Sequence, residues 1–239
     1  MLDCPLVFLD LETTGATATR DRITEIGLIA LEHGECAGEW STLVNPEVSI
    51  PPFIESLTGI TNDMVVQAPT FAAVARELKA WLDGRVLVAH NARFDYGFLK
   101  NEFQRIDVNY RSEVICTVKL SRSLFPGHAR HNLDSLMQRH GVSCGARHRA
   151  LGDARVLWDL AQKWRDEVGA ATLAAAAAAQ INAAKLRPEL AQFALDEIPD
   201  TPGVYLFYGE NDVPLYVGRG ANLRARVLSH LAGDGVAER

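Results

Sequence analysis

Two carboxylates interrupt an otherwise apolar strand near the start of this chain. In Val7-Phe8-Leu9-Asp10-Leu11-Glu12-Thr13-Thr14-Gly15 the stretch from Leu6 to Leu11 reads as a buried strand, apolar except for Asp10. Side chains alternate along a strand, so Asp10 and Glu12, two residues apart, project from one face. Flanking Val7, Phe8, Leu9 and Leu11 argue against an exposed edge. Two carboxylates side by side in an apolar setting are unfavourable unless cations neutralise them. Whatever fold forms must bury this strand and bring positive charge to that face.

The rest of the chain supplies a sheet for it. Ile23 to Leu31 and Trp40 to Val44 read as two further strands, joined by the turn-prone Glu32-His33-Gly34-Glu35, which implies an antiparallel meander. Pro51-Pro52 break the chain. Phe71 to Leu82 carries Phe71, Val74, Ala75, Leu78 and Leu82 at helical spacing. Val86 to Ala89 is a short apolar strand, followed by Asn91 as a helix N-cap and by a helix with Phe94, Phe98 and Leu99 inside. A strand that runs into a helix places residues 90–95 at the carboxyl edge of a sheet, where α/β proteins put their sites. Leu133 to His140 and Ala150 to Val168 are expected to be helices. From Ala170 to Ala184 alanine dominates, which favours helix but offers little to bury, and suggests a connector. Pro199, Pro202 and Gly203 then open a new unit.

Composition places the chain among ordinary globular proteins, with 48% hydrophobic and 23% charged residues. Cys4, Cys36, Cys116 and Cys144 form no C-x-x-C pair, so neither a zinc ribbon nor a redox motif is indicated. Acidic residues break the apolar start, and no uncharged run reaches membrane length, so a cytoplasmic setting is expected. The net charge of −6 hides a polarity. Residues 1–84 sum to −9 (4 basic, 13 acidic), residues 85–149 to +6 (11 and 5), and residues 150–239 to −3 (9 and 12). The basic third, with Arg93, Lys100, Arg105, Lys119, Arg122, Arg130, Arg147 and Arg149, suits attraction of a phosphate backbone or a solvated surface.

Two further motifs lie in or beside that basic third. Val88-Ala89-His90-Asn91-Ala92-Arg93-Phe94-Asp95 puts Asp95 in the first turn of a helix, where the helix dipole favours negative charge. His148-Arg149-Ala150-Leu151-Gly152-Asp153 spaces a histidine and a carboxylate by five residues, roughly 140° around a helix. The two therefore do not share a helical face, and His148 is placed on the loop after Gly145 with Asp153 in the opening turns of the helix. A mobile histidine beside a metal-bound carboxylate can take a proton from water near neutral pH. Four carboxylates and one histidine in this order suit two divalent cations and an activated water, the equipment for cutting a phosphodiester. His33, His128, His131 and His140 read as structural or surface residues.

FLDLETTG, HNARFD and HRALGD resemble the three motifs of the DEDDh class of 3′–5′ exonucleases, the superfamily of the proofreading epsilon subunit of bacterial DNA polymerase III. The resemblance covers about residues 5–167. It implies an α/β, ribonuclease-H-like fold, a mixed five-stranded sheet flanked by helices. It also implies that Asp10, Glu12, Asp95 and Asp153 hold two Mg²⁺ or Mn²⁺ ions, with His148 as the general base. The resemblance further implies terminal-nucleotide contacts at Leu11, Thr13, His90, Asn91 and Phe94, although Phe94 equally suits core packing.

Downstream, Pro202-Gly203-Val204-Tyr205 and Tyr216-Val217-Gly218 read as the arms of a β-hairpin turning at Gly209 to Asp212, with Asn222 capping a helix that carries Leu223, Val227 and Leu231. This is similar to the opening of a GIY-YIG endonuclease domain, as in the nuclease subunit of bacterial nucleotide excision repair. Tyr205, Tyr216, Arg226 and His230 fall on that family's motif positions. The family's metal-binding glutamate finds no counterpart before Arg239, so this small α+β fragment is expected to be inactive. The resulting division is 1–168 exonuclease domain, 169–197 alanine-rich helical linker and 198–239 incomplete GIY-YIG part.

The expected function is metal-dependent 3′–5′ hydrolysis of DNA that releases 5′-mononucleotides, in repair or replication proofreading, with nucleic acid and a polymerase or repair complex as partners. Alternatives are an exoribonuclease that trims small RNAs, a nucleotide phosphate-ester hydrolase, and a non-catalytic adaptor docked to a polymerase or repair complex.

Overall fold

β1 (Leu6–Thr13) sets the layering. Leu6 and Phe8 point into one apolar cluster and Val7, Leu9 and Leu11 into another, so the strand is covered on both faces. Each such fully buried side chain contributes roughly 1.5–3 kcal/mol. β2 (Ile23–Glu32) pairs with it antiparallel, and β3 (Glu35–Leu43) pairs antiparallel with β2. The β2–β3 turn uses His33 (φ 51°) and Gly34 (φ 83°), two successive positive φ values that match the twist of a tight hairpin. β4 (Val86–Ala89) runs parallel to β1, and β5 (Val114–Cys116) parallel to β4. The result is the expected mixed five-stranded sheet, in the order β3-β2-β1-β4-β5. The computed structural model describes residues 4–145, 148–185, 198–208 and 214–231.

Pro51-Pro52 start an element rather than merely ending one. Pro52 opens the short helix α1 (Pro52–Thr58), where its missing N–H costs nothing, and Gly59 (φ 71°) closes it. α2 (Asn62–Val65) follows, capped by the Thr61 side chain. α3 (Phe71–Leu82) and α4 (Arg93–Arg105) then cover the face of the sheet onto which Val7, Leu9 and Leu11 point.

The opposite face is covered by α5 (Thr117–Leu124), α6 (Leu133–His140), α7 (Ala150–Val168) and α8 (Ala170–Lys185), with Trp164 fully buried among them. α8 departs from its expected role as a connector. Leu173, Ala177 and Ile181 recur along one side of it and are buried in the same cluster as Phe8 and Trp164. The Gln180 side chain accepts the Cys116 N–H at 2.9 Å and donates to the Cys116 carbonyl at 3.2 Å, which completes the outer edge of β5. Two compact units result, Met1–Ala183 and Ala184–Arg239, and most of α8 falls in the first of them. Alanine spacers hid the stripe, because three small or medium apolar side chains suffice to seat a helix that approaches closely.

In the second unit β6 (Gly203–Tyr208) and β7 (Pro214–Gly220) form an antiparallel pair, followed by α9 (Leu223–Leu231). The Asn222 side chain accepts the Ala225 N–H at 2.8 Å, the expected cap. The expected turn at Gly209 to Asp212, and the linker residues 186–197, lie outside the described residues. No helix among the described residues is long and apolar enough to cross a membrane.

Candidate active site

Three carboxylates from distant parts of the chain meet at one end of the sheet. Asp10 and Glu12 leave β1 on the face that α7 covers, and Asp153 enters from the first turn of α7. Each offers a ligand oxygen within 4.8 Å of the others. Asp10 and Glu12 are half-buried and Asp153 is buried. The approach of α7 depends on Gly27, which pairs with Asp10 across β1–β2. A Cβ at Gly27 would lie 2.0 Å from the Leu151 backbone nitrogen and 2.3 Å from the Ala150 carbonyl carbon. Bare backbone at this point lets the helix start rest against the strand.

Asp95 is not a member of that set of three. It is buried at the start of α4, and its carboxylate accepts N–H groups from Leu11 and from its own backbone. Burial pushes its carboxyl well above the usual carboxylate range, and the nearby Glu12 charge adds to this, while the two backbone donors oppose it. β1 and β4 are parallel neighbours, so the end of β1 and the β4–α4 turn share one edge of the sheet.

His148 is exposed in the turn before α7, with φ 58°. Arg149, the N-cap of α7, has an extended backbone and no side-chain cap of its own. Its guanidinium instead grips Glu25 of β2 through Nε at 3.0 Å and Nη2 at 2.6 Å. Glu25 also accepts the Ala150 N–H at 2.9 Å. Glu25 and Gly27 belong to no motif, and a glutamate and a glycine inside the apolar run ITEIGLIAL are their only trace in the sequence.

The nucleotide-contact candidates divide. The Leu11 side chain is in the core and its N–H goes to Asp95. Thr13 is buried, and its hydroxyl donates to the Gly15 carbonyl at 2.7 Å. His90 is half-buried, with Nδ1 at 2.9 Å from the Thr117 hydroxyl. Asn91 is exposed in the left-handed region (φ 59°), and Ala92 takes the N-cap position expected for it. Asparagine tolerates that conformation better than most residues, so it serves the turn rather than the cap. Phe94 packs on Phe98 with ring centroids 4.8 Å apart, at the margin of the core.

In the second unit the rings of Tyr205 and Tyr216 lie 5.9 Å apart. Partial burial and Tyr216 push the Tyr205 phenol up, and the Arg226 cation acts against them. Gly218 makes room for this ring, since a Cβ there would lie 2.3 Å from it. His230 falls on α9, its side chain outside the described residues.

Residues 7–161 match the family described as Exonuclease. The chain belongs to that family. Residues 201–239 match a UvrC-like GIY-YIG domain. A Mycobacterium tuberculosis protein named as a bifunctional exonuclease/endonuclease is 39% identical over 242 residues, covering 95% of this chain and 37% of its own length. The 3′-5′ exonuclease DinG of Bacillus subtilis is 41% identical over 152 residues, 63% of this chain and 16% of its own. The DNA polymerase III subunit epsilon of Treponema pallidum is 38% identical over 154 residues, 63% of this chain and 72% of its own. This exonuclease chain thus spans about a third of the first relative and a smaller part of the second. Among solved structures, Exonuclease X in complex with 5′ overhanging duplex DNA superposes with a TM-score of 0.58 at 27% identity, covering 72% of this chain and 99% of that one. E. coli Exonuclease I in complex with a dT13 oligonucleotide shares the fold, with a TM-score of 0.61 at 18% identity, covering 68% of this chain and 41% of that one.

The raised Asp95 carboxyl gives a test of what this exonuclease fold gains and loses at the site. Its folded-state pKa lies above its unfolded value, so the contribution to stability is complete below the ordinary carboxylate pKa and is lost as pH rises through the raised one. Asp95→Asn keeps an acceptor and no charge. In EDTA at neutral pH the variant will therefore match or exceed the wild type in urea midpoint, and its pH dependence will be flatter. With Mn²⁺ the order will reverse, because a ligand at 100 times its Kd adds about 2.7 kcal/mol to a folded state that holds it. Equal loss of stability with and without metal would make Asp95 a structural residue only.

Proposed function

We propose that the first unit is a metal-dependent 3′–5′ exonuclease acting on DNA and releasing 5′-mononucleotides. The observation that carries the reading is the convergence of Asp10 and Glu12 from β1 with Asp153 from α7 at the edge where Asp95 also lies. A donor set of carboxylate oxygens suits Mg²⁺ or Mn²⁺. Asp10, Glu12, Asp95 and Asp153 would hold two such ions, which when bound acidify water and neutralise charge on the phosphodiester. His148, exposed in the turn that leads into α7, would take the proton of the attacking water. His90 and the β4–α4 turn would orient the terminal nucleotide. The relatives support DNA as substrate and a polymerase or repair complex as partner, since their names include a DNA polymerase III subunit and a DNA-bound exonuclease.

The test uses 5′-labelled single strands of DNA and of RNA with one sequence, incubated with the whole chain in Mg²⁺, Mn²⁺ or EDTA. A ladder shortening stepwise from the 3′ end, free 5′-mononucleotides, and dependence on metal are expected with DNA. Intact strands in both metals would overturn the enzyme reading and leave an adaptor. Faster digestion of RNA would overturn the choice of DNA.

A further inference from the structure

We propose that Glu25, near the start of β2, is a positioning residue that fixes the stance of His148 by clamping Arg149 and the start of α7. The inference rests on the reading of the site as hydrolytic.

Glu25 pairs with Glu12 across β1–β2 and therefore shares its face of the sheet. It is only 4% exposed. A carboxylate buried on an apolar strand is costly unless it is paired and hydrogen-bonded. The hydrogen bonds to its carboxylate come from one place, the third sequence motif. Arg149 Nε lies 3.0 and 3.1 Å from its two oxygens and Nη2 lies 2.6 Å from one of them, while the Ala150 N–H donates at 2.9 Å. Charge-assisted bonds of this forked kind are short and directional.

The clamp replaces what α7 lacks. A helix start leaves N–H groups without intrahelical acceptors, and Arg149 at the N-cap has no short polar side chain to accept one. Glu25 supplies that acceptor from a strand. The Arg149 carbonyl in turn accepts the Asp153 N–H at 3.0 Å, so both the side chain and the backbone of Arg149 are fixed. His148 is bonded directly to this residue and sits at φ 58°, a region that a residue with a β-carbon keeps only where its surroundings impose it. With Arg149 released, nothing in the peptide geometry itself would hold that backbone. The four carboxylates would remain, and the proton acceptor would wander.

A purely structural Glu25 and a positioning Glu25 differ in what they move. Glu25→Gln keeps the shape and one acceptor but removes the charge that grips Arg149. The expected result is a fall in kcat of about 10-fold or more, towards the 10–100-fold typical of supporting residues around metal sites. KM for a 3′-ended DNA strand will stay within about twofold, the pattern of an interaction used only in the transition state. The rise in Tm on adding Mn²⁺ will equal that of wild type. In a His148→Ala background the same change will add no further loss, since its effect runs through the missing imidazole. Full kcat in Glu25→Gln overturns the inference while the exonuclease reading stands. Losses that multiply with those of His148→Ala, or a vanished Mn²⁺ response, also overturn it. A wild-type protein that leaves strands intact would fell the exonuclease reading first and this inference with it.

Discussion

Asp10→Ala will leave a folded protein that no longer releases nucleotides. The carboxylate is half-buried among Glu12 and Asp153, so removing it relieves repulsion and empties little apolar space. In EDTA the Tm will be unchanged or higher. The catalytic effect runs the other way. On the proposed two-cation reading, losing a ligand would forfeit several kcal/mol of transition-state stabilisation, and at 1.36 kcal/mol per decade that is about 10³-fold or more in rate. Single-turnover digestion of a labelled strand, with circular dichroism on the same sample, separates the two quantities. Activity within tenfold of wild type would move the chemistry away from this sheet edge. Asp10→Asn provides the same comparison with the side-chain volume kept.

Gly27→Ala is expected to lose both stability and activity, through steric contact alone. The added carbon meets backbone atoms of Ala150 and Leu151 at 2.0–2.5 Å, and a backbone cannot swing aside as a flexible side chain would. Either β2 deforms or the start of α7 retreats. Overpacking of this kind costs about 1–3 kcal/mol. For a chain of this size each kcal/mol lowers Tm by about 2–4 °C. Retreat of α7 carries Asp153 away from Asp10, and a displacement near 1 Å can cost about 10²-fold in rate. Urea unfolding and metal-dependent digestion measured on one preparation check both effects. A variant with wild-type Tm and wild-type rate would show that the strand–helix contact gives way freely.

The sequence revealed most where an element is apolar and regular. β1, β2, β4, α3, α6 and α7 lie where alternation or helical spacing put them, because burial on the sheet imposes those periods. β3 begins at Glu35, earlier than its aromatic end suggested, since its first residues face solvent and carry no apolar rhythm. β5 is three residues long, and α1 and α2 are a turn or two each, too short for any period to register. The role of α8 was hidden because alanine is read as absence of a face, whereas close approach lets Leu173, Ala177 and Ile181 form one. In the site, Asp10 and Glu12 were legible from a two-residue spacing. Gly27 and Glu25 were not, because their partners, Leu151 and Arg149, stand more than a hundred positions downstream. Such pairs become visible only once β2 and α7 are laid together.

The side-chain amide of Gln180 presents one acceptor and one donor to β5, as a sixth strand would. It thereby acts as a plug. An outermost strand with bare peptide groups invites another polypeptide to add on, and so to fibril growth or dimer exchange. Here a helix rich in alanine terminates the ladder and denies that docking. Severing the chain after Val168 would remove the plug together with the apolar residues beside it. The shortened nuclease would then be prone to self-association at the outer edge of β5.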